Sequence, residues 1–224
     1  MLVAPARKVK PYKGLPLEGP LATWYARNTG RDLSPFRELA HRLASELKPG
    51  DRVLEIAPGP GYLAIELARL GPWSVTGLDV SRSFVRIAGD NAARAGVGID
   101  FRRGNASAMP FEPDSFDLIV CRAAFKNFAD PKGALREMHR VLAPGGTARI
   151  YDLRREVSDE AIEAEVESLR LGRVDAFVTE MIFKHGLRPS AYSRADFEAM
   201  LWAIPFTATD IHEADTGFEI RLVK

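Results

Sequence analysis

A chain of 224 residues, 46% hydrophobic and 27% charged, has the make-up of one globular domain with room for at most a small lid. With 31 basic against 30 acidic residues it carries a formal charge of +1, which excludes the broad basic footprint of a nucleic-acid binder. Cys121 is the single cysteine, so a reducing, cytoplasmic setting without internal disulfides is expected, and no apolar run reaches the roughly 20 residues of a membrane span.

Met1 to Lys13 is basic through Arg7, Lys8, Lys10 and Lys13 and lacks the apolar stretch of a signal peptide, so it reads as a frayed tail. Residues 14–33 are rich in Gly and Pro. Within them Leu21, Trp24 and Tyr25, spaced i, i+3, i+4, predict a short helix docked by its aromatic side chains. Residues 1–33 are therefore a tail with a docking helix, ahead of a main domain over 34–224. Ser34-Pro35 reads as an N-cap and first helical position. Phe36, Leu39, Ala40, Leu43 and Leu47 then form one apolar face, which Pro49-Gly50 ends.

From Arg52 onward strands and helices alternate. The expected strands are 53–56, 74–78, 99–102, 116–121 and 148–153, with helices over 62–70, from Ser81 to about Ala95, and from Asp130-Pro131 to a stop at Pro144-Gly145-Gly146. Apolar strands alternating with helices imply a doubly wound parallel sheet covered on both faces. Residues 154–187 break the pattern with two helical segments, one marked by Ile162, Val166 and Leu169, and read as a helical lid insertion. Ser193-Arg194-Ala195-Asp196 is a capping box. Two strands flanking Asp215-Thr216-Gly217 make a hairpin, so the last strand runs antiparallel.

The chemistry concentrates where strand 53–56 meets helix 62–70. Gly59-Pro60-Gly61-Tyr62-Leu63-Ala64 fits the spacing of a nucleotide-binding glycine loop, and Asp79 follows at the distance of an acid that binds ribose hydroxyls. That much suits any nucleoside cofactor, a nicotinamide included. Glu55, inside the first strand, tips the balance. A carboxylate there needs a partner, either a ligand ammonium, a loop N–H or a neighbouring Arg. The two loop prolines suit a compact nucleoside better than a pyrophosphate, and no second catalytic domain follows.

Glu55-Ile56-Ala57-Pro58-Gly59-Pro60-Gly61 resembles the acid-x-Gly-x-Gly-x-Gly signature of class I S-adenosylmethionine-dependent methyltransferases. The likeness continues through Leu78-Asp79-Val80-Ser81, Gly104 to Phe111, Phe116 to Cys121, and Leu135 to Gly146. It is similar in flavour to the ubiquinone and menaquinone biosynthesis methyltransferases. The resemblance implies an α/β, Rossmann-like, doubly wound seven-stranded sheet with an antiparallel last strand, and S-adenosylmethionine as cofactor with S-adenosylhomocysteine as product. Glu55, Ala57, Gly59 and Gly61 would hold the methionine moiety. Asp79 would take the ribose, Val80, Asn105 and Ala106 the adenine, with Arg122 and Tyr25 beside the cofactor. Ala57 stands where the family has its first glycine, which a negative φ would allow. Asn105 replaces the usual Asp.

The family's His-His-Phe run after the fourth strand is here Lys126-Asn127-Phe128, and Asn127 cannot act as a base. His185 is then the remaining candidate for a catalytic base. Phe125, Phe128, Phe177, Met181 and Tyr192, together with Phe183, are expected to line a pocket for a small apolar or aromatic methyl acceptor. The four histidines and Cys121 show no metal spacing. Two rival readings remain open at this point, an NAD(P)-dependent oxidoreductase and a cofactor-binding protein with little transferase activity.

Overall fold

The structure, a computed structural model, describes residues 12–14, 17–168 and 172–224, the side chains of Ser168 and Val174 excepted. The tail residues Arg7, Lys8 and Lys10, and Leu169 of the insertion, lie outside the described residues. The elements follow in order: α1 (Gly19–Thr29), α2 (Ser34–Ala44), β1 (Arg52–Ile56), α3 (Tyr62–Leu70), β2 (Ser74–Asp79), α4 (Arg82–Ala95), β3 (Asp100–Arg103) and β4 (Phe116–Arg122). After them come α5 (Pro131–Val141), β5 (Leu142–Leu153), α6 (Asp159–Ser168), α7 (Arg173–Met181), α8 (Arg194–Leu201), β6 (Ala208–Glu213) and β7 (Gly217–Val223).

The strands form one seven-stranded sheet in the order β3-β2-β1-β4-β5-β7-β6. β1 to β5 run parallel, and β7 lies antiparallel between β5 and β6. The order reverses between β1 and β4. This switch point is where an open α/β sheet splays its connections and leaves a crevice at the strand C-termini.

Alternation along β1 and β4 sorts the core into two layers. Leu54, Ile56, Ile119 and Cys121 join the cluster that α5 and α8 cover. Val53, Leu118 and Val120 join the one that α2 and α3 cover. Glu55 shares parity with Val53, so it faces the α3 side, level with Gly77 of β2 and Val120 of β4.

Local signals set most boundaries. Ser81 Oγ accepts from Phe84 N–H, Asp130 Oδ1 from Gly133 N–H, and Ser193 with Asp196 closes the capping box. Four expectations are corrected. α1 buries Ala22 and Ala26, not its aromatics, and Trp24 is 59% exposed. The small residues let α1 lie close on α4 and turn Leu21 and Trp24 outward. α2 is preceded by Leu33 at the cap position, with Asp32 Oδ1 accepting from Ser34 N–H, and it ends at Ala44, before Leu47. α5 ends at Val141 and the chain passes directly into β5, so Pro144-Gly145-Gly146 lies within the strand, beside a register shift between Phe116 and Leu118. Tyr12 and Lys13 are docked rather than frayed.

Between β5 and α8 the chain forms the helices α6 and α7. Val157, Ile162 and Val166 are buried against Leu153, Ala176 and Phe183, forming a small core of their own.

Candidate active site

The loop after β1 is held from both sides. Ala57 N–H donates to Leu78 O at 2.8 Å, and Gly59 N–H donates to Asp79 Oδ2 at 3.1 Å. Gly59 and Gly61 have φ of 56° and 81°, and Ala57 has a φ of 55°. The negative φ that the Ala-for-Gly exchange calls for is therefore absent, and Ala57 sits in a left-handed conformation that L-residues adopt at a cost. A Cβ built on Gly59 would meet nothing within 4 Å, so the loop faces open space where a ligand backbone approach is possible. On Gly61 a Cβ would stand 2.9 Å from the Phe101 ring, so that glycine serves packing.

Glu55 is 4% exposed. Its Oε2 has no hydrogen-bond partner among the described residues. Burial pushes its pKa up to about 8, against the opposing pull of the Ala64 N–H in the first turn of α3 and of Arg122. Asp79 spans the cradle, with Oδ1 accepting from Ser81 N–H at 2.8 Å and Oδ2 from Gly59. Burial raises it to about 6.

Tyr25 packs its ring edge-on to Phe84 at 5.7 Å, within electrostatic reach of Arg122 and Asp79. The Arg122 guanidinium lies 4.6 Å from the Phe36 ring centroid and makes no hydrogen bond or ion pair among the described residues. Asn105 closes a turn, its Oδ1 accepting from Ser107 N–H at 3.0 Å. Ala106 is buried beside it, and Val80 is half-buried with its carbonyl accepting from Arg103 Nε. The unpartnered Glu55 oxygen, the open side of Gly59 and the doubly anchored Asp79 fit a nucleoside carrying an ammonium group.

The methyltransferase domain model matches residues 54–150, the stretch that builds this cradle. The chain is 39% identical over 118 residues to 2-phytyl-1,4-naphtoquinone methyltransferase from Synechococcus elongatus, which covers 51% of each chain. It is 40% identical over 118 residues to demethylmenaquinone methyltransferase from Thermus thermophilus, covering 52% of this chain and 53% of the other. It therefore spans about half the length of these curated relatives. A candidate S-adenosyl-L-methionine-dependent methyltransferase from Methanococcus maripaludis superimposes with a TM-score of 0.74 over 94% of this chain and 95% of its own, at 24% identity. The shared architecture is the class I methyltransferase fold.

The fold does not bring the expected acceptor residues into one pocket. Phe125 and Phe128 are buried in the core, where Phe125 stacks on Phe197 at 5.2 Å and meets Phe128 and Tyr192 edge-on. Phe177 and Met181 are exposed on α7, outside that cluster, and Phe183 packs in the small core of the insertion. Of the five, Tyr192 alone is half-buried at its margin. Core aromatics and pocket aromatics have the same composition and spacing, which is why sequence could not separate them. His185 stands exposed on the turn Ile182–Leu187, with no hydrogen-bond partner among the described residues. An open cleft between α6 and the β6–β7 turn holds none of these residues.

Lys126 is committed to a buried ion pair. Its Nζ lies 2.8 Å from both Asp152 Oδ1 and Ala123 O, with both side chains sealed from solvent. Two residues that sequence reading missed border this cradle. Glu18 accepts from Arg82 and Ser83 N–H at the start of α4, and Tyr12 pairs with Phe128. Neither belongs to a periodic segment, so only the folded chain brings them in.

Proposed function

We propose that the chain transfers a methyl group from S-adenosylmethionine to a small apolar or aromatic acceptor of the quinol type, releasing S-adenosylhomocysteine, in the cytoplasm. The carrying observation is the buried Glu55 carboxylate with one oxygen unpartnered at the mouth of the glycine loop. Such a group is costly until a cation completes it. The quinone names of the relatives support the acceptor class.

In this reading Glu55 accepts from the cofactor ammonium, and Arg122, stacked but otherwise uncommitted, faces its carboxylate. Asp79 has lone pairs left for the ribose hydroxyls after serving Gly59 and Ser81. Val80, Asn105 and Ala106 border the adenine, and Tyr25 closes the amino-acid end. The cofactor, when bound, supplies a sulfonium methyl that is already a strong electrophile. No side chain of the cradle is placed to take a proton, so acceleration comes from holding the acceptor in line, worth roughly 7–11 kcal/mol. An acceptor that ionises easily suits such a site.

Thermal unfolding with S-adenosylhomocysteine and with NADPH tests the cofactor. A ligand at 100 times its Kd stabilises by about 2.7 kcal/mol, or roughly 5–10 °C for a chain of this size. The shift is expected with the sulfur nucleoside and absent in Asp79→Ala. A shift with NADPH alone would end this reading.

A further inference from the structure

The segment before α1 is tied down at two points. Tyr12 pairs antiparallel with Phe128, and Lys13 N–H donates to Asn127 O at 2.8 Å. Lys13 Nζ lies 4.4 Å from the Tyr192 ring centroid and 3.5 Å from Ser190 O. Farther on, Ser81 Oγ donates to Leu17 O at 2.7 Å, and Glu18 takes two N–H groups of α4 at 3.0 Å each. The first anchor follows β4 and the second follows β2. Because β1 lies between those strands, the anchors flank the loop Ala57–Gly61.

The chain bends at Lys13 and Gly14, so that Lys13 stands over Tyr192 and a Cβ on Gly14 would lie 3.5 Å from Tyr12 Cε1. Burial raises the Tyr12 phenol pKa first, and then Tyr25, Asp79 and Asp152 add to it. Tyr12 is half-buried and within electrostatic reach of the acid ending β2, the tyrosine of α1 and the carboxylate near the end of β5. Its hydroxyl has no hydrogen-bond partner among the described residues.

Glu55, Asp79 and Asn105 draw the cofactor to β1, β2 and the loop after β3, with Arg122 at the end of β4 and Tyr25 on α1 beside its amino-acid end. The end of β5 and the chain just after β4 are left for an acceptor. On that side Lys126 and Asp152 are committed to each other, and the phenylalanines are sealed in the core. We propose that Tyr12 is an acceptor-binding residue whose hydroxyl donates a hydrogen bond to an oxygen of a quinol-type methyl acceptor and turns its nucleophilic atom toward the cofactor. This assignment rests on the methyl-transfer reading above.

Two measurements test it on the full chain. Nitration with tetranitromethane, read by mass spectrometry at Tyr12 and Tyr25, needs no acceptor. Saturating S-adenosylhomocysteine is expected to protect Tyr25 strongly and to leave the Tyr12 rate within about twofold. Methyl transfer to reduced 2-phytyl-1,4-naphthoquinone is then compared in wild type and Tyr12→Phe. The acceptor KM should rise about tenfold, the loss of one good hydrogen bond, with the S-adenosylhomocysteine Kd unchanged.

Protection of Tyr12 equal to that of Tyr25, or an unchanged acceptor KM, overturns the assignment. If wild type binds the nucleoside but leaves this quinol unmethylated, the quinol reading fails by itself, and nitration still decides which side Tyr12 serves. If Tyr25 is not protected and no nucleoside binds, both proposals fall together.

Discussion

Lys126 Nζ and Asp152 Oδ1 lie 2.8 Å apart with side chains only 4% and 2% exposed, and the same aspartate also accepts from the Lys126 and Leu153 N–H groups. Removing the cation alone strands a buried carboxylate. Lys126→Met is expected to cost about 3–5 kcal/mol of stability. Lys126→Met with Asp152→Asn should recover most of that, since the amide oxygen still accepts from the backbone without a charge to neutralise. Urea denaturation of both variants reads this directly, and a single variant within about 0.5 kcal/mol of wild type would contradict it.

Glu55 makes the ligand-free protein sensitive to alkali. Its pKa is raised from 4.5 to about 8, so between those values the folded state binds more protons than the unfolded one. Stability therefore falls as pH rises through that window, by about 1.4 kcal/mol for each pH step of one over which the carboxyl is protonated only in the folded state. Asp79, raised from 3.8 to about 6, adds a loss of the same sign at lower pH. Thermal scans of the free protein from pH 5 to pH 8 should show a drop in Tm, shallower in Glu55→Gln. A ligand ammonium favours the carboxylate, so calorimetry of S-adenosylhomocysteine near pH 7 in buffers of different ionisation enthalpy should register proton release in wild type. Glu55→Gln should release none.

Ala57 carries left-handed strain without the freedom of glycine. That conformation costs an alanine about 1–2 kcal/mol, while a glycine costs about 0.4–1 kcal/mol in unfolded-chain entropy. Ala57→Gly is thus expected to stabilise by about 0.5–1 kcal/mol and to raise Tm by roughly 1–4 °C. A lower Tm would show that the alanine methyl contributes packing that outweighs the strain.

Ser81 joins two parts of the molecule through one hydroxyl, capping α4 at Phe84 N–H and donating to Leu17 O. Ser81→Ala is expected to cost about 1–2 kcal/mol. It should also speed hydrogen exchange in the early residues of α4.

Where the determinants are local, the sequence reads well. The apolar runs 53–56 and 118–120 are central strands, and Ser81, Asp130 and Ser193 cap the helices they precede. The acids Glu55 and Asp79 and the loop glycines do converge at the β1 end. What stayed hidden depends on partners far along the chain. Trp24 has core-like spacing, yet the close approach of Ala22 and Ala26 to α4 turns it outward. The φ of Ala57 follows from how its loop bonds to Leu78 and Asp79, which residue type does not reveal. Tyr12 and Glu18 act across more than 60 residues and leave no periodic trace.

Cys121 sits fully buried in β4, beside Ile56 and Ile150 of the flanking strands, and burial pushes its thiol well above the usual range. A thiolate reagent therefore reaches it only when the centre of the sheet comes apart. As the sole cysteine, it is a ready-made clock for global opening. The labelling rate of the unmodified chain reports the frequency of that event, and any small molecule that favours the closed form slows the clock in proportion to its binding.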